Sequence, residues 1–190
     1  MRLFLFAPVL VALSLIAGCS QQEELPVPEP FTLDAEAIGR YCGMNVLEHD
    51  GPKGQIILTR IPEPIWFSSA RDAVAFTKLP DEPKNVAAIY VSDMAVAKSW
   101  EQPGAENWID AKTAFFVLGS RQRGGMGTAE TVPFSTEAAA LAFAAANGGE
   151  VMRFDDIPID YVLGSADEEP EPDGQPDAGA VGAIPAQNDD

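Results

Sequence analysis

The chain has 190 residues, 46% hydrophobic and 22% charged, with 29 acidic against 12 basic side chains and a net charge of -17. That length supports one ordinary domain or two small ones, and the negative balance, without clustered Lys or Arg, excludes binding to nucleic acid and disfavours anionic lipid headgroups. Two cysteines and one histidine exclude a disulfide scaffold, a four-thiolate zinc site and any motif that needs a histidine pair.

Residues 1–18 read as an export signal. Arg2 supplies a short positive region, and Leu3 to Ala17 form an apolar run broken only by Pro8 and Ser14, too short to span a membrane. The run ends Leu15-Ile16-Ala17-Gly18-Cys19, which is similar to a bacterial lipobox, where the cysteine is acylated and becomes the mature N-terminus. The other reading is an ordinary secretory signal cut near Ala17, leaving a free thiol. Lipidation at Cys19 gives stable anchoring, because several acyl chains hold where one only binds reversibly. Ser20, in place of an aspartate, points to the periplasmic side of the outer membrane. Residues 19–33 form a linker in which Pro26, Pro28 and Pro30 alternate with Leu25, Val27 and Glu29, a pattern that favours an extended spacer.

The core, 34–163, contains an internal repeat. Arg40 to Val46 is a candidate opening strand, followed by the strand Gln55 to Thr59. The segment Phe67 to Phe76 has phenylalanines nine positions apart and ends Ala-Val-Ala-Phe. Either Ser68 or Ser69 can cap the first turn of a helix there, with Asp72 near its positive end. Val86 to Val91 is the next strand. The order then recurs: Trp108 to Lys112 as the opening strand, Ala114 to Leu118 as a strand, Phe134 to Phe143 as a helix capped by Ser135 or Thr136, and Val151 to Phe154 as a strand. These are two strand-strand-helix-strand units, about 40–100 and 107–163, in an α+β arrangement. Neither buries much alone, so the units are expected to pack together. Residues 164–190 are acidic, lack Lys and Arg, and have few large apolar side chains; that composition cannot offset the entropy of ordering and is expected to be disordered.

With Cys19 acylated, Cys42 is the one remaining thiol. A core cysteine is the ordinary fate of such a residue, but Cys42-Gly43-Met44 sets a thiol and a thioether two positions apart. On a strand both would project from one face. Soft donors of this kind select Cu(I). His49 follows in a polar Glu48-His49-Asp50 stretch and is expected to be solvent-exposed, either as a plain surface residue or as a further ligand. Met126 lies in Arg123-Gly124-Gly125-Met126-Gly127, outside any apolar pattern, so it reads as presented to solvent rather than packed. Met94 and Met152 lie in or beside strand-like runs and read as core. Cys42, Met44, His49 and Met126 are thus the candidate copper ligands. Two other readings remain: an enzyme with Cys42 as nucleophile and His49 as base, and an interaction module in which the sulfurs are incidental.

These residues carry a resemblance to a known family. Cys42-Gly43-Met44, His49, Gly51-Pro52-Lys53-Gly54-Gln55-Ile56, Val91-Ser92-Asp93, Trp108-Ile109-Asp110-Ala111, Phe116-Val117-Leu118-Gly119-Ser120, and Met126-Gly127 followed by Pro133-Phe134 occur in order across nearly the whole core. The chain resembles the NosL family, lipoprotein accessory factors of nitrous oxide reductase maturation. The resemblance implies a Cu(I)-binding chaperone that supplies the copper-sulfide centre of the reductase with the ABC-type NosDFY membrane complex, and a fold similar to organomercurial lyase. It assigns Cys42, Met44 and Met126 to copper, and His49 with them. Asp50 and Gly125 stand where proline is expected in the family, which alters loop stiffness and no donor atom.

Overall fold

The computed structural model describes residues 26–164; the export signal, Cys19 and nearly all of the acidic tail lie outside them. Two antiparallel sheets and two longer helices make the fold. In the first sheet, strand β1 (Gly54–Leu58) pairs with β2 (Ile65–Phe67) on one side and β3 (Val86–Ser92) on the other. Helix α1 (Ala70–Lys78) connects β2 to β3. β4 (Trp108–Asp110) adds to the far edge of β3. The second sheet repeats the plan with β5 (Phe115–Leu118) between β6 (Val132–Phe134) and β7 (Glu150–Arg153), and α2 (Glu137–Asn147) joining the last two. A short helix, α3 (Ile159–Leu163), closes the chain.

Both units therefore have the order strand-strand-helix-strand with the first strand central, in agreement with the repeat. The cap chemistry is local: Ser69 accepts from the Asp72 amide at 3.4 Å and Thr136 from the Ala139 amide at 3.3 Å, which supplies partners for otherwise orphaned first-turn donors. Three assignments differ from the sequence reading. Residues 40–46 are a turn flanked by isolated bridges, not a strand. The strands that complete each hairpin are β2 and β6, three residues each, too short to show alternation. β4, expected to open the second unit, belongs to the first sheet, where Tyr90 faces Asp110 and Ser92 faces Trp108.

The sheets stack through α1. Ile56, Phe67, Ile89 and Val91 of the first sheet, Val74 and Phe76 of α1, and Phe116 and Leu118 of the second sheet share one core. The other face of the second sheet, Val117, Val132 and Phe134, carries α2. The other face of the first sheet is covered by the chain that precedes it. Tyr90 donates to the Pro28 carbonyl at 2.8 Å, and the fully buried Gln55 amide both donates to and accepts from the Phe31 backbone at 2.9 and 2.8 Å. Leu33, Ala37 and Val46 then pack on Trp66 and Trp108. From Pro28 onward the proline-alternating segment is docked on the sheet instead of standing free as a spacer.

Candidate metal site

Cys42 sits at the tip of a tight loop. Ile38 bridges to Asn45, the Gly39 amide donates to the Met44 carbonyl at 2.9 Å, and the Gly43 amide donates to the Gly39 carbonyl at 2.9 Å. Gly43 has φ +66, a left-handed conformation that a side chain disfavours. A Cβ on Gly39 would lie 2.6 Å from Cys42 Sγ, so the sulfur rests directly on the bare backbone of that glycine. The loop is tied to the rest of the unit by Arg40 and Tyr41, whose side chains both reach Glu82 at 3.2 Å. The alternation argument for Cys42 and Met44 thus fails on conformation. The Met44 side chain nonetheless stands open on the same turn, 40% exposed.

Asn45 caps a short helical turn, Val46–Glu48, by accepting from the Leu47 amide at 2.9 Å. That turn delivers His49, whose Nε2 lies 4.0 Å from Cys42 Sγ. Metal bonds of about 2.3 Å to sulfur and about 2.0 Å to nitrogen, typical of closed-shell d10 ions, sum to slightly more than this gap, so one ion fits between the two atoms with a wide bond angle. His49 is buried, at 8% exposure, and not at the surface as its polar neighbours suggested. Two neighbours account for this: Lys53 beneath it, with 1% exposure, and the Gly125 backbone against its Cβ. Lys53 Nζ donates to the His49 carbonyl, to the Asp50 carbonyl at 3.1 Å and to the Ser68 carbonyl at 3.4 Å. Three carbonyls converge on one ammonium, and that fixes the backbone of both segments flanking Cys42. Burial lowers the Lys53 pKa to about 8. Ser68 completes the contact: its hydroxyl is 3.5 Å from Cys42 Sγ.

Met126 comes from the second unit. Residues 123–129 close on themselves through an Arg123 to Ala129 bridge, with the Gly127 amide donating to the Gly124 carbonyl at 2.8 Å. A Cβ on Gly125 would come within 2.7 Å of His49 Cβ and of the Asp50 amide nitrogen, so the loop lies flat against the histidine, and a proline could not replace this glycine without displacing it. Met126, next in the chain, is 51% exposed. Trp100 braces both loops: its indole donates to the Arg123 carbonyl at 3.1 Å, while its ring fills the space beside Gly51. The structure thus brings Cys42 and His49 into contact and sets the Met44 and Met126 loops beside them. Met94 and Met152 are partly buried against the two cores.

Sequence reasoning missed three supporting residues: Lys53, Ser68 and Glu130. Glu130 is fully buried and belongs to the second unit, yet its Oε1 accepts from the Ser69 hydroxyl at 3.1 Å and the Arg71 amide at 2.8 Å. It therefore helps cap α1, the helix that starts beside Ser68. Burial raises its pKa to about 7. Among the described residues its second oxygen has no hydrogen-bond partner, and it lies 2.9 Å from where a Cβ on Gly124 would be. The available signal was a lone carboxylate two positions before an apolar strand.

Among the described residues no three histidine, cysteine or carboxylate side chains gather around a common point. The donor set at Cys42 is a thiol, an imidazole and thioethers, which suits a soft ion. Organomercurial cleavage would require a further acid or thiol; the polar side chains next to Cys42 Sγ are Ser68 and His49.

The NosL family model matches residues 30–162. The chain belongs to the NosL family. It is 43% identical to the copper-binding lipoprotein NosL of Achromobacter cycloclastes over 95% of this chain and 94% of that protein. It is 34% identical to the copper-binding lipoprotein NosL of Stutzerimonas stutzeri over 78% of this chain and 76% of that one. The fold is similar to the crystal structure of the copper chaperone NosL from Shewanella denitrificans, with a TM-score of 0.63 and 35% identity, covering 68% of this chain and 95% of the other. These NosL relatives are named for binding and carrying copper, not for catalysis.

Proposed function

We propose that this NosL chain is a lipid-anchored carrier of Cu(I) on the periplasmic side of the outer membrane, tethered through Cys19. In this reading it delivers copper for the copper-sulfide centre of nitrous oxide reductase by way of the NosDFY membrane complex. The observation that carries the copper reading is the partly buried Cys42 thiol, 4.0 Å from the imidazole of His49, with the exposed thioethers of Met44 on the same turn and Met126 on the adjoining loop. The names of the relatives support copper as the metal; the soft donor set supports the monovalent state.

The donor chemistry suits a carrier. A single anionic ligand holds the ion, and neutral thioethers at the solvent edge exchange with an incoming donor, so an acceptor's sulfur or imidazole can displace Met44 or Met126 before the thiolate lets go. The buried side, His49 on Lys53, is held rigidly by three carbonyl bonds and keeps the departing geometry fixed. Ligation needs a thiolate and a neutral imidazole, so affinity falls as pH falls. Anaerobic titration with Cu(I) against a competing chelator tests the assignment. Cys42→Ala is expected to lose more than about a hundredfold in affinity, beyond the range for changes to supporting residues, and Met126→Ala less than that. Retained tight binding in Cys42→Ala would overturn the site. Transfer is tested separately, by following copper from the loaded chain to NosDFY-containing membranes.

A further inference from the structure

Resting on the proposed Cys19 anchor, we propose that the pole of the first sheet formed by Val27, Arg60 and Ile61 faces the lipid surface and that the Cys42 pole faces away from it. The path of the docked N-terminal segment carries this. Pro26, Val27 and Pro28 lie beside Leu58, Arg60 and Ile61, at the C-terminal end of β1. Phe31 bonds to Gln55, near the start of β1, and the Leu33 amide donates to the Ala105 carbonyl at 2.9 Å, next to Val46. The chain thus enters at one end of the sheet and runs along it to the other. Lys53, which holds His49 and Ser68, immediately precedes β1, so the copper ligands occupy the end opposite the entry point.

Lengths favour this orientation. Cys19 and Pro26 are seven positions apart, a span of at most about 25 Å when fully extended. Along β1, from Leu58 back to Gly54, the strand path is about 14 Å at ~3.4 Å per residue. Turning the Cys42 pole onto the bilayer would spend over half of the tether on the run back along the sheet. The entry pole needs none of it. The net charge of -17 further opposes lying flat on anionic lipid, while Val27 and Ile61 are exposed apolar groups beside Arg60 at the entry pole. The consequence for function is that an acceptor must present its site on the side turned from the anchoring membrane, at roughly the height of the domain. A receiving group at the lipid surface would not reach Cys42.

The test uses the full-length lipidated chain in phosphatidylcholine vesicles with a headgroup-quencher lipid. A fluorophore is attached in a Cys42→Ser background at Ile61→Cys or at Leu47→Cys, both about half-exposed positions, and the pair Val27→Cys and Met126→Cys repeats the comparison. Quenching at positions 61 and 27 is expected to exceed that at 47 and 126 by at least about threefold. Equal quenching, or the reverse order, in a chain that floats with the vesicles overturns the orientation alone. A chain that fails to float overturns the anchor, and the orientation with it.

Discussion

The two units share a strand order but not a situation. In the first, α1 lies between the sheets and six of its nine residues are buried; in the second, α2 lies on the outside and buries Ala140 alone among eleven. The first sheet also has both faces occupied, one by α1 and the other by the docked segment and the Cys42 loop. The chemistry follows this asymmetry. The unit with the buried helix holds the His49 backbone through Lys53 and sets the Ser68 hydroxyl beside the Cys42 sulfur, while the second lends one exposed thioether from a glycine loop. A duplicated topology has thus been divided into a rigid holder and an adjustable contributor.

The equivalent phenylalanines give the sharpest way to break that comparison. Phe76, fully buried in the shared core and in edge-on contact with Phe67, is expected to cost about 4 kcal/mol on substitution by alanine. Phe143, partly buried against Phe134, should cost about half as much. Chemical denaturation of Phe76→Ala and Phe143→Ala measures both, and equal losses would mean the two helices are equivalent after all.

The link between the units is Glu130, and its pH signature is the next largest effect. Its carboxyl has a pKa raised by burial to about 7 in the folded chain, against 4.5 as its ordinary value. Between those values the folded state keeps a proton that the unfolded state has released, so stability falls as pH rises through this window and levels off above it. The span corresponds to at most about 3 kcal/mol. Glu130→Gln keeps an acceptor for Ser69, Arg71 and Thr131 but cannot ionise, so its stability should decline less between pH 4.5 and pH 7. An unchanged slope in thermal melts across that range would remove Glu130 as the titrating link.

The sequence made the helices legible because their caps and their phenylalanine spacing are local signals. Ser69 and Thr136 need only their own first turns. The donor residues were legible for a different reason: a thiol beside a methionine, one histidine and a glycine-set methionine are rare groups whose chemistry does not depend on the fold. Their surroundings were hidden. Glu48-His49-Asp50 reads as solvated surface, and the Lys53 side chain folding back under the histidine carbonyl, together with the Gly125 loop lying over it, reverses that. Glu130 caps a helix almost sixty positions earlier, and no spacing rule reaches so far. β4 joined the wrong unit in the sequence reading because its partner, β3, is chosen by tertiary packing and not by proximity to the repeat.

Lys53 separates holding from binding within the first unit. Lys53→Met keeps the length and apolar stem but leaves the carbonyls of His49, Asp50 and Ser68 without their shared donor. Affinity for Cu(I) is expected to drop by about 10–100-fold, the range for residues that orient a ligand without touching the metal. X-ray absorption of the loaded variant should retain sulfur scattering from Cys42 while losing nitrogen from His49. Retained nitrogen with full affinity would show that the histidine needs no support.

The smallest expected effect lies on the outer helix. Leu141 stands on α2 at 54% exposure, one position after Ala140, the residue through which that helix is buried. Leu141→Ser removes apolar surface that is already in water, so stability should change by less than about 0.5 kcal/mol, and Cu(I) affinity should not change. A larger loss in either would mean that the exposed side of α2 is covered in solution, by a second copy or by another part of the chain. The second unit would then be a docking element as well as a contributor of Met126. Sedimentation of the parent and of Leu141→Ser at matched concentration distinguishes a second copy, which the substitution would release, from a cover within one chain, which leaves the mass unchanged.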